Sequence, residues 1–169
     1  MKYGVFISYS HEDSSLIAPV VALIKTLRKD LVFHDVQDIN AGKLWEPQLN
    51  KALMDANLVI VFWCKHSAVS DYVEKEYKFA IENTKDILPL LLDDSKLPGV
   101  LSAYQYIDVS KSISHPEAAK QLDAYTMSKK IAWTTLRGII FPWTTVTAGV
   151  DQILALAIHE SLKEKIPPK

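Results

Sequence analysis

The chain has 169 residues, enough for one domain or one domain with an appendage, and it is 49% hydrophobic with a formal net charge of −1. That composition supports a substantial core and argues against disorder, while the near-neutral balance leaves no electrostatic footprint for nucleic acid. Its single cysteine, Cys64, excludes a disulfide framework and a thiolate metal cluster and fits a reducing compartment.

The opening MKYGVFISYS has too short an apolar run for a signal peptide. The most apolar late stretch, GIIFPWTTVTAGV at 138–150, is shorter than the roughly 20 residues of a membrane span, and Arg137 and Asp151 bracket it. The expectation is a cytoplasmic protein with neither membrane nor nucleic acid among its partners.

In chain order, VFISYS (5–10) reads as a buried first strand. In the following segment Asp13, Ser14 and Ser15 are N-cap candidates, and Ile17, Val21, Ile24 and Leu27 repeat at helical spacing. Pro19 is expected in the first turn of that helix, where its missing N–H does least harm. LVFHDV (31–36) is a second strand, QDINAGKLW (37–45) a loop, and WEPQLNKALMDA (45–56) a second helix. NLVIVFWC (57–64) is apolar on both faces and therefore central. After a helix beginning near Ser70 come two more strands, DILPLLLDD (86–94) and YQYIDVS (104–110).

This alternation predicts an α/β fold, a five-stranded parallel sheet flanked by helices on both faces. The core is expected over residues 1–114. Residues 115–169 are expected to hold the final helix of the core and a C-terminal helical extension. In the extension, PEAAKQLDAYTMSKKIAW reads as helical, Pro142 interrupts the next stretch, and 150–165 carries a stripe of Ile153, Leu154, Ala157, Ile158 and Leu162. Trp133, Phe141 and Trp143 suit an edge cover, an oligomer contact or a partner's docking surface.

The segment SDYVEKEYKFAIENT (70–84) raises one question. Ser70 suits an N-cap, and Val73, Tyr77, Ala80 and Ile81 share the side that must face the sheet. Glu74, Lys75, Lys78 and Glu82 share the wet side, with i,i+4 pairs among them. Glu76 belongs to neither set. It falls on the margin of the buried face, one turn after Tyr72 and one turn before Phe79 and Ala80. A partly desolvated acid there has two readings: a structural partner for a backbone group or lysine, or a carboxylate aimed at a ligand. The helix follows the central strand, so its N-terminal end lies at the carboxyl edge of the sheet, where open α/β sheets bind ligands.

Three loops share that edge. SYSHEDS (8–14) is rich in hydroxyls and leads into a helix N-terminus, a place that suits phosphate, but it lacks the glycines of a GxGxxG fingerprint or a P-loop. QDINAGKLW offers Gly42, which permits a positive φ, and Trp45, which either stacks on a base or packs beneath the loop. CKHSAVS (64–70) is polar. The five histidines, His11, His34, His66, His115 and His159, show no ligand spacing, so no metal site is expected. A Cys64/His66 nucleophilic pair lacks a third, orienting group in the sequence.

Together these boxes resemble the TIR domain family of Toll/interleukin-1 receptors and resistance proteins. VFISYS resembles the family's first-strand box, DVQDINAGKLW its second-strand exit and long BB loop with Gly42 on the loop glycine, and DYVEKE its W-x-x-x-E signature with Glu76 on the glutamate. The order and spacing match over about residues 3–114. Tyr72 replaces the usual tryptophan, and Cys64 stands where many relatives carry serine.

The resemblance implies a flavodoxin-like TIR fold and one of two functions: cleavage of NAD+ at the nicotinamide–ribose bond, or a non-catalytic adaptor that assembles by TIR–TIR contact. For the first it implies Glu76 as the catalytic group and Tyr9, Ser10, His11, Gly42, Trp45 and Tyr72 as substrate-binding positions. Ser10 and His11 would lie near the phosphates, with Trp45 and Tyr72 along the nucleotide cleft. NAD+ is then the substrate, no further cofactor is needed, and the implied partners are other copies of the chain and a downstream effector or sensor. The resemblance extends to bacterial stand-alone NAD-cleaving TIR proteins, many of which are effectors or signal-makers in antiphage defence, and it implies the second role for a small chain such as this.

The chemistry is consistent with one acid. Ordinary glycoside cleavage uses two carboxyl groups, one of which protonates the departing oxygen. Nicotinamide departs as a neutral base from a cationic pyridinium, so one carboxylate that orients the ribose and stabilises an oxocarbenium-like transition state suffices. Water as acceptor yields ADP-ribose; an internal acceptor yields a cyclic product. Two rivals remain by residue chemistry. A phosphoacceptor receiver domain fails because the central strand ends in Phe62-Trp63-Cys64 without an aspartate. An N-ribosyl transferase acting on nucleosides shares the carboxylate logic.

Overall fold

The computed structural model describes residues 3–35, 45–110 and 149–167. Five strands, β1 (Tyr3–Ser8), β2 (Leu31–Asp35), β3 (Leu58–Trp63), β4 (Asp86–Leu91) and β5 (Ile107–Asp108), form one sheet in the order β2-β1-β3-β4-β5. Every neighbouring pair is parallel. Helices α1 (Ser14–Leu27), α2 (Trp45–Asp55), α3 (Asp71–Glu82) and the short α4 (Gly99–Ser102) connect them in turn, and α5 (Gly149–Lys165) comes last among the described elements.

The sequence explains the layering. All six β3 residues are buried, as the run LVIVFW requires of a strand covered on both faces. Its even positions, Leu58, Ile60 and Phe62, join Val5 and Ile7 of β1, Ile17, Val20, Val21 and Ile24 of α1, and Leu154, Ile158 and Leu162 of α5 in one core. Its odd positions, Val59, Val61 and Trp63, join Phe6, Leu49 and Leu53 of α2, and Val73, Tyr77 and Ala80 of α3 in a second core on the other face. The stripe expected on the last helix is therefore the lid of the first core. Ile153 is the one member of that stripe whose side chain lies outside the described residues, as do the whole of 115–148 and with them Trp133, Phe141 and Trp143.

Buried Arg28, just after α1, forks onto both carboxylate oxygens of Asp30 at 2.9 and 2.8 Å and donates to the Ile166 carbonyl at 2.8 Å. It ties the C-terminal ends of α1 and α5 together, and its hydrogen bond holds the half-buried Asp30 carboxyl below the usual range. Pro89 within β4 is tolerated because β5 pairs only with Leu90 and Leu91, leaving β4 an edge strand at the proline.

Pro19 differs from expectation. The helix begins at Ser14, so Pro19 lies inside α1, a turn deeper than the first turn. Asp13 takes the N-cap position but makes no side-chain capping bond there.

Two backbone positions generate stability predictions. Gly4 exchanges hydrogen bonds with Asn57, its N–H to Oδ1 at 2.9 Å and its carbonyl from the Asn57 N–H at 2.8 Å. A Cβ on Gly4 would lie 2.6 Å from the Asp55 carbonyl oxygen and 3.1 Å from the Ala56 Cα, both backbone. Gly4→Ala is expected to cost about 1–3 kcal/mol in urea unfolding, because the end of α2 must move. Thr84 has φ 51°. Its N–H bonds to the Ile81 carbonyl and that of Lys85 to the Ala80 carbonyl, a Schellman ending that favours glycine at position 84. Thr84→Gly is expected to raise stability by roughly 1 kcal/mol, since a β-branched residue strains there.

Candidate functional site

β1 carries β2 on one side and β3 on the other, so the chain changes direction across the sheet at β1 and β3. The carboxyl ends of those two strands bound the crevice where doubly wound sheets take ligands. Ser8 ends β1 and is fully buried; in register it sits opposite Val61 of β3.

α3 starts at this edge. Ser70 caps it, its hydroxyl accepting from the Val73 N–H at 3.4 Å, and Glu74, Lys75, Lys78 and Glu82 lie in solvent, with Lys78 and Glu74 paired at 2.6 Å. Glu76 is not on a margin. It is 1% exposed, because α3 packs over β1 as well as β3 and β4 and the end of β1 covers its flank. The Ser8 hydroxyl donates to Glu76 Oε2 at 2.5 Å. Taking a carboxylate out of water costs several kcal/mol, of which a hydrogen bond to a charged group restores about 1.5–3 kcal/mol. An acid held in so buried a place, at the carboxyl edge of the sheet, is a candidate for function.

The other expected positions do not all gather at this acid. Ser10 is 5% exposed and lies two residues past Ser8, the end of β1, while His11 is exposed and opens the single 3-10 turn (His11–Asp13) before α1. Tyr9 points to the opposite face and belongs to the core under α1 and α5, so alternation along the strand separates it from Ser8 and Glu76. Tyr72, one turn nearer the sheet edge than Glu76, is 56% exposed with the Lys75 ammonium 5.9 Å from its ring centre. Gly42 and the Trp45 side chain lie outside the described residues. The structure thus joins Glu76 to Ser8, a partner the sequence alone did not single out. The available signal was parity: Phe6 and Ser8 share one face of β1, and α3 lies on that face.

Cys64 projects to the α1 face, into the core that includes Tyr9, and not toward Glu76. Its thiol donates to Asp13 Oδ2 at 2.9 Å and lies 3.5 Å from the Ser67 hydroxyl. His66 Nδ1 is 2.7 Å from Asp13 Oδ1. The third group that a Cys/His pair lacked in sequence is therefore Asp13, 51 residues before Cys64. A nucleophilic role does not follow, because the thiol engages the acid rather than the imidazole, and burial, then the Asp13 contact, pushes its pKa up. A cavity of about 310 Å³ opens on the other flank of α3, between Trp63, Ser67 and Tyr77 and the segment of Lys96 and Pro98; neither Glu76 nor Tyr72 lines it.

Among the described residues, no helix is long and apolar enough to cross a membrane. No curated protein matches the chain's sequence. Among solved structures, the TIR domain of the Toll-related receptor TRR-2 from Hydra magnipapillata superposes with a TM-score of 0.57 at 18% identity, covering 77% of this chain and 98% of that one. The TIR domains of the activated Roq1 resistosome, which directly recognises the pathogen effector XopQ, give 0.51 at 15% identity over 95% and 99%. At such identities these likenesses speak for the fold, which is the same parallel five-stranded α/β architecture. The family model of the TIR domain matches residues 5–123, well over half the sequence, and on that ground this chain belongs to the TIR domain family.

Proposed function

We propose that this chain cleaves NAD+ at the nicotinamide–ribose bond, with Glu76 as the catalytic carboxylate. The supporting observation is the buried Glu76 side chain held by the Ser8 hydroxyl at the β1/β3 carboxyl edge. In this reading Ser8 stands in for a ribose hydroxyl: it satisfies Oε2 and fixes its aim before the dinucleotide arrives, and it yields or shares that oxygen on binding. The carboxylate then stabilises positive charge building on the ribose as neutral nicotinamide departs. Low local dielectric at a side chain this buried strengthens that interaction. No proton donor to the leaving group is required, and water or an internal acceptor completes the reaction to ADP-ribose or a cyclic product. Ser10 and His11 serve the phosphates from the β1–α1 turn, Tyr72 offers an aromatic surface at the exposed end of α3, and Gly42 and Trp45 belong to the loop that closes the nucleotide cleft. Copies of the chain complete the site for one another, and the product acts as a signal in bacterial antiphage defence or immune signalling.

The same hydrogen bond also favours a second reading. A Ser8–Glu76 pair can simply pin α3 to β1 in a non-catalytic TIR–TIR adaptor, whose contacts would use exposed apolar residues such as Val69, Tyr72, Val100 and Tyr106.

Concentrated protein incubated with NAD+, with products resolved by mass spectrometry, separates the two. The enzyme reading predicts nicotinamide release that rises more than linearly with protein concentration and falls at least about 100-fold in Glu76→Gln. No turnover at any concentration, or turnover unchanged in Glu76→Gln, rejects it. For Ser8→Ala the prediction is a loss of about 1–3 kcal/mol in unfolding free energy, from the buried acid that has lost a donor. Its kcat should fall by less than tenfold, because Ser8 positions the acid and Glu76 performs the chemistry.

A further inference from the structure

The cluster of Asp13, Cys64 and His66 is not used by the reaction proposed above. It links the turn before α1 to the loop before α3, the two segments that leave the crevice on its β1 and β3 sides. One ligand atom from each residue lies within 4.8 Å of the others, and the three are contributed by a carboxylate, a thiol and an imidazole. We propose that they form a binding site for one thiophilic divalent cation of the Zn2+ class, with three protein ligands and a fourth position open to water.

Five observations support the assignment. The donor set S, N and O is one that Zn2+ accepts in tetrahedral geometry. Bond lengths of about 2.3 Å to sulfur and 2.0–2.1 Å to nitrogen and oxygen place tetrahedral donors roughly 3.3–3.6 Å apart. At present Asp13 spans the pair with both oxygens, Oδ2 accepting from the Cys64 thiol at 2.9 Å and Oδ1 lying 2.7 Å from His66 Nδ1, so an ion replaces these hydrogen bonds and takes one carboxylate oxygen while the donors open toward tetrahedral separations. Next, His66 meets the cluster through Nδ1 while Nε2 lies 3.4 Å from Glu12 Oε2, the outer carboxylate that commonly fixes the tautomer of a ligating imidazole. Asp13, although it occupies the N-cap position of α1, is turned away from capping and toward this cluster. Finally, access is one-sided. Cys64 is buried, whereas the His66 and Glu12 side chains are 31% and 70% exposed and line an entry from solvent.

The proton balance is simple. Cys64 gives its S–H proton to solvent and binds as thiolate; His66 binds as neutral imidazole through Nδ1 with its proton on Nε2; Asp13 binds as carboxylate. The site is carried by residues other than Glu76 and Ser8, and its occupancy is measurable without NAD+, so it stands or falls apart from the NAD+ reading. Its effect would be to clamp the two loops together.

Tag-free protein titrated with Zn2+ against a chromophoric chelator, and with Co2+ followed by absorption, tests this. One ion per chain is expected, with a near-ultraviolet thiolate-to-cobalt band and the visible bands of a tetrahedral site. Cys64→Ser should abolish the band and weaken Zn2+ at least about 100-fold, and Glu12→Gln should weaken it by about tenfold, as loss of an outer partner does. The cobalt spectrum of the unaltered chain reads the site even where a variant fails to fold. Stoichiometric Co2+ binding without a thiolate band, Zn2+ affinity unchanged in folded Cys64→Ser, or no ion retained at micromolar concentration overturns the proposal.

Discussion

β1 forms parallel ladders on both sides at once, to β2 on one edge and to β3 on the other. A chain whose second strand goes one way and whose third goes the other must place the helices that follow β1 and β3 on opposite faces, which opens a crevice at the carboxyl ends of those two strands. What is placed at that edge follows from this constraint. Ser8 ends β1 there, Cys64 follows β3, the turn of His11–Asp13 and the loop before α3 meet above it, and α3 lowers Glu76 against the flank of β1.

The two faces of β1 divide the chemistry by parity. Side chains on the α2/α3 face, Phe6 and then Ser8, lead from core to acid. Those on the α1/α5 face, Val5, Ile7 and Tyr9, lead toward the surroundings of Cys64. Two polar clusters thus lie close in sequence yet serve separate sides of one sheet. The Ser8–Glu76 pair lies on one side and the Asp13–Cys64–His66 group on the other. Each bridges a β1-derived segment to a β3-derived one; the first is fully buried, whereas in the second only Cys64 is, with Asp13 and His66 half-buried, and the apolar layers must offset the cost of the polar groups they cover.

Much of this was legible in the residues. The run 58–63, apolar without alternation, could only be a doubly covered strand, and it is fully buried. Ser70 reads as a cap and acts as one. The odd acid in α3 announced itself because helical periodicity left it no wet face. What escaped was anything decided by tertiary contact. Periodicity put Glu76 on a margin, since a helical wheel does not contain the strand that covers it. Asp13 was legible as a cap, but its carboxylate is drawn off by Cys64 and His66, 51 and 53 residues away in sequence. Pro19 fell deeper into α1 than propensity prefers because apolar packing of Ile17, Val20, Val21 and Ile24 sets where that helix lies. Gly42 and the Trp45 side chain fall outside the described residues, so their places in the cleft rest on the resemblance.

In the proposed reaction the Glu76 carboxylate meets the ribose that bears nicotinamide. A crystal structure with a carbocyclic NAD+ analogue, which binds but resists cleavage, tests it most directly. The expected result is the cyclopentane diol within hydrogen-bond distance of Glu76, with the Ser8 contact lengthened or shared, and the pyridinium directed out of the crevice. A dinucleotide seated elsewhere, with the Ser8–Glu76 hydrogen bond unaltered, would contradict it.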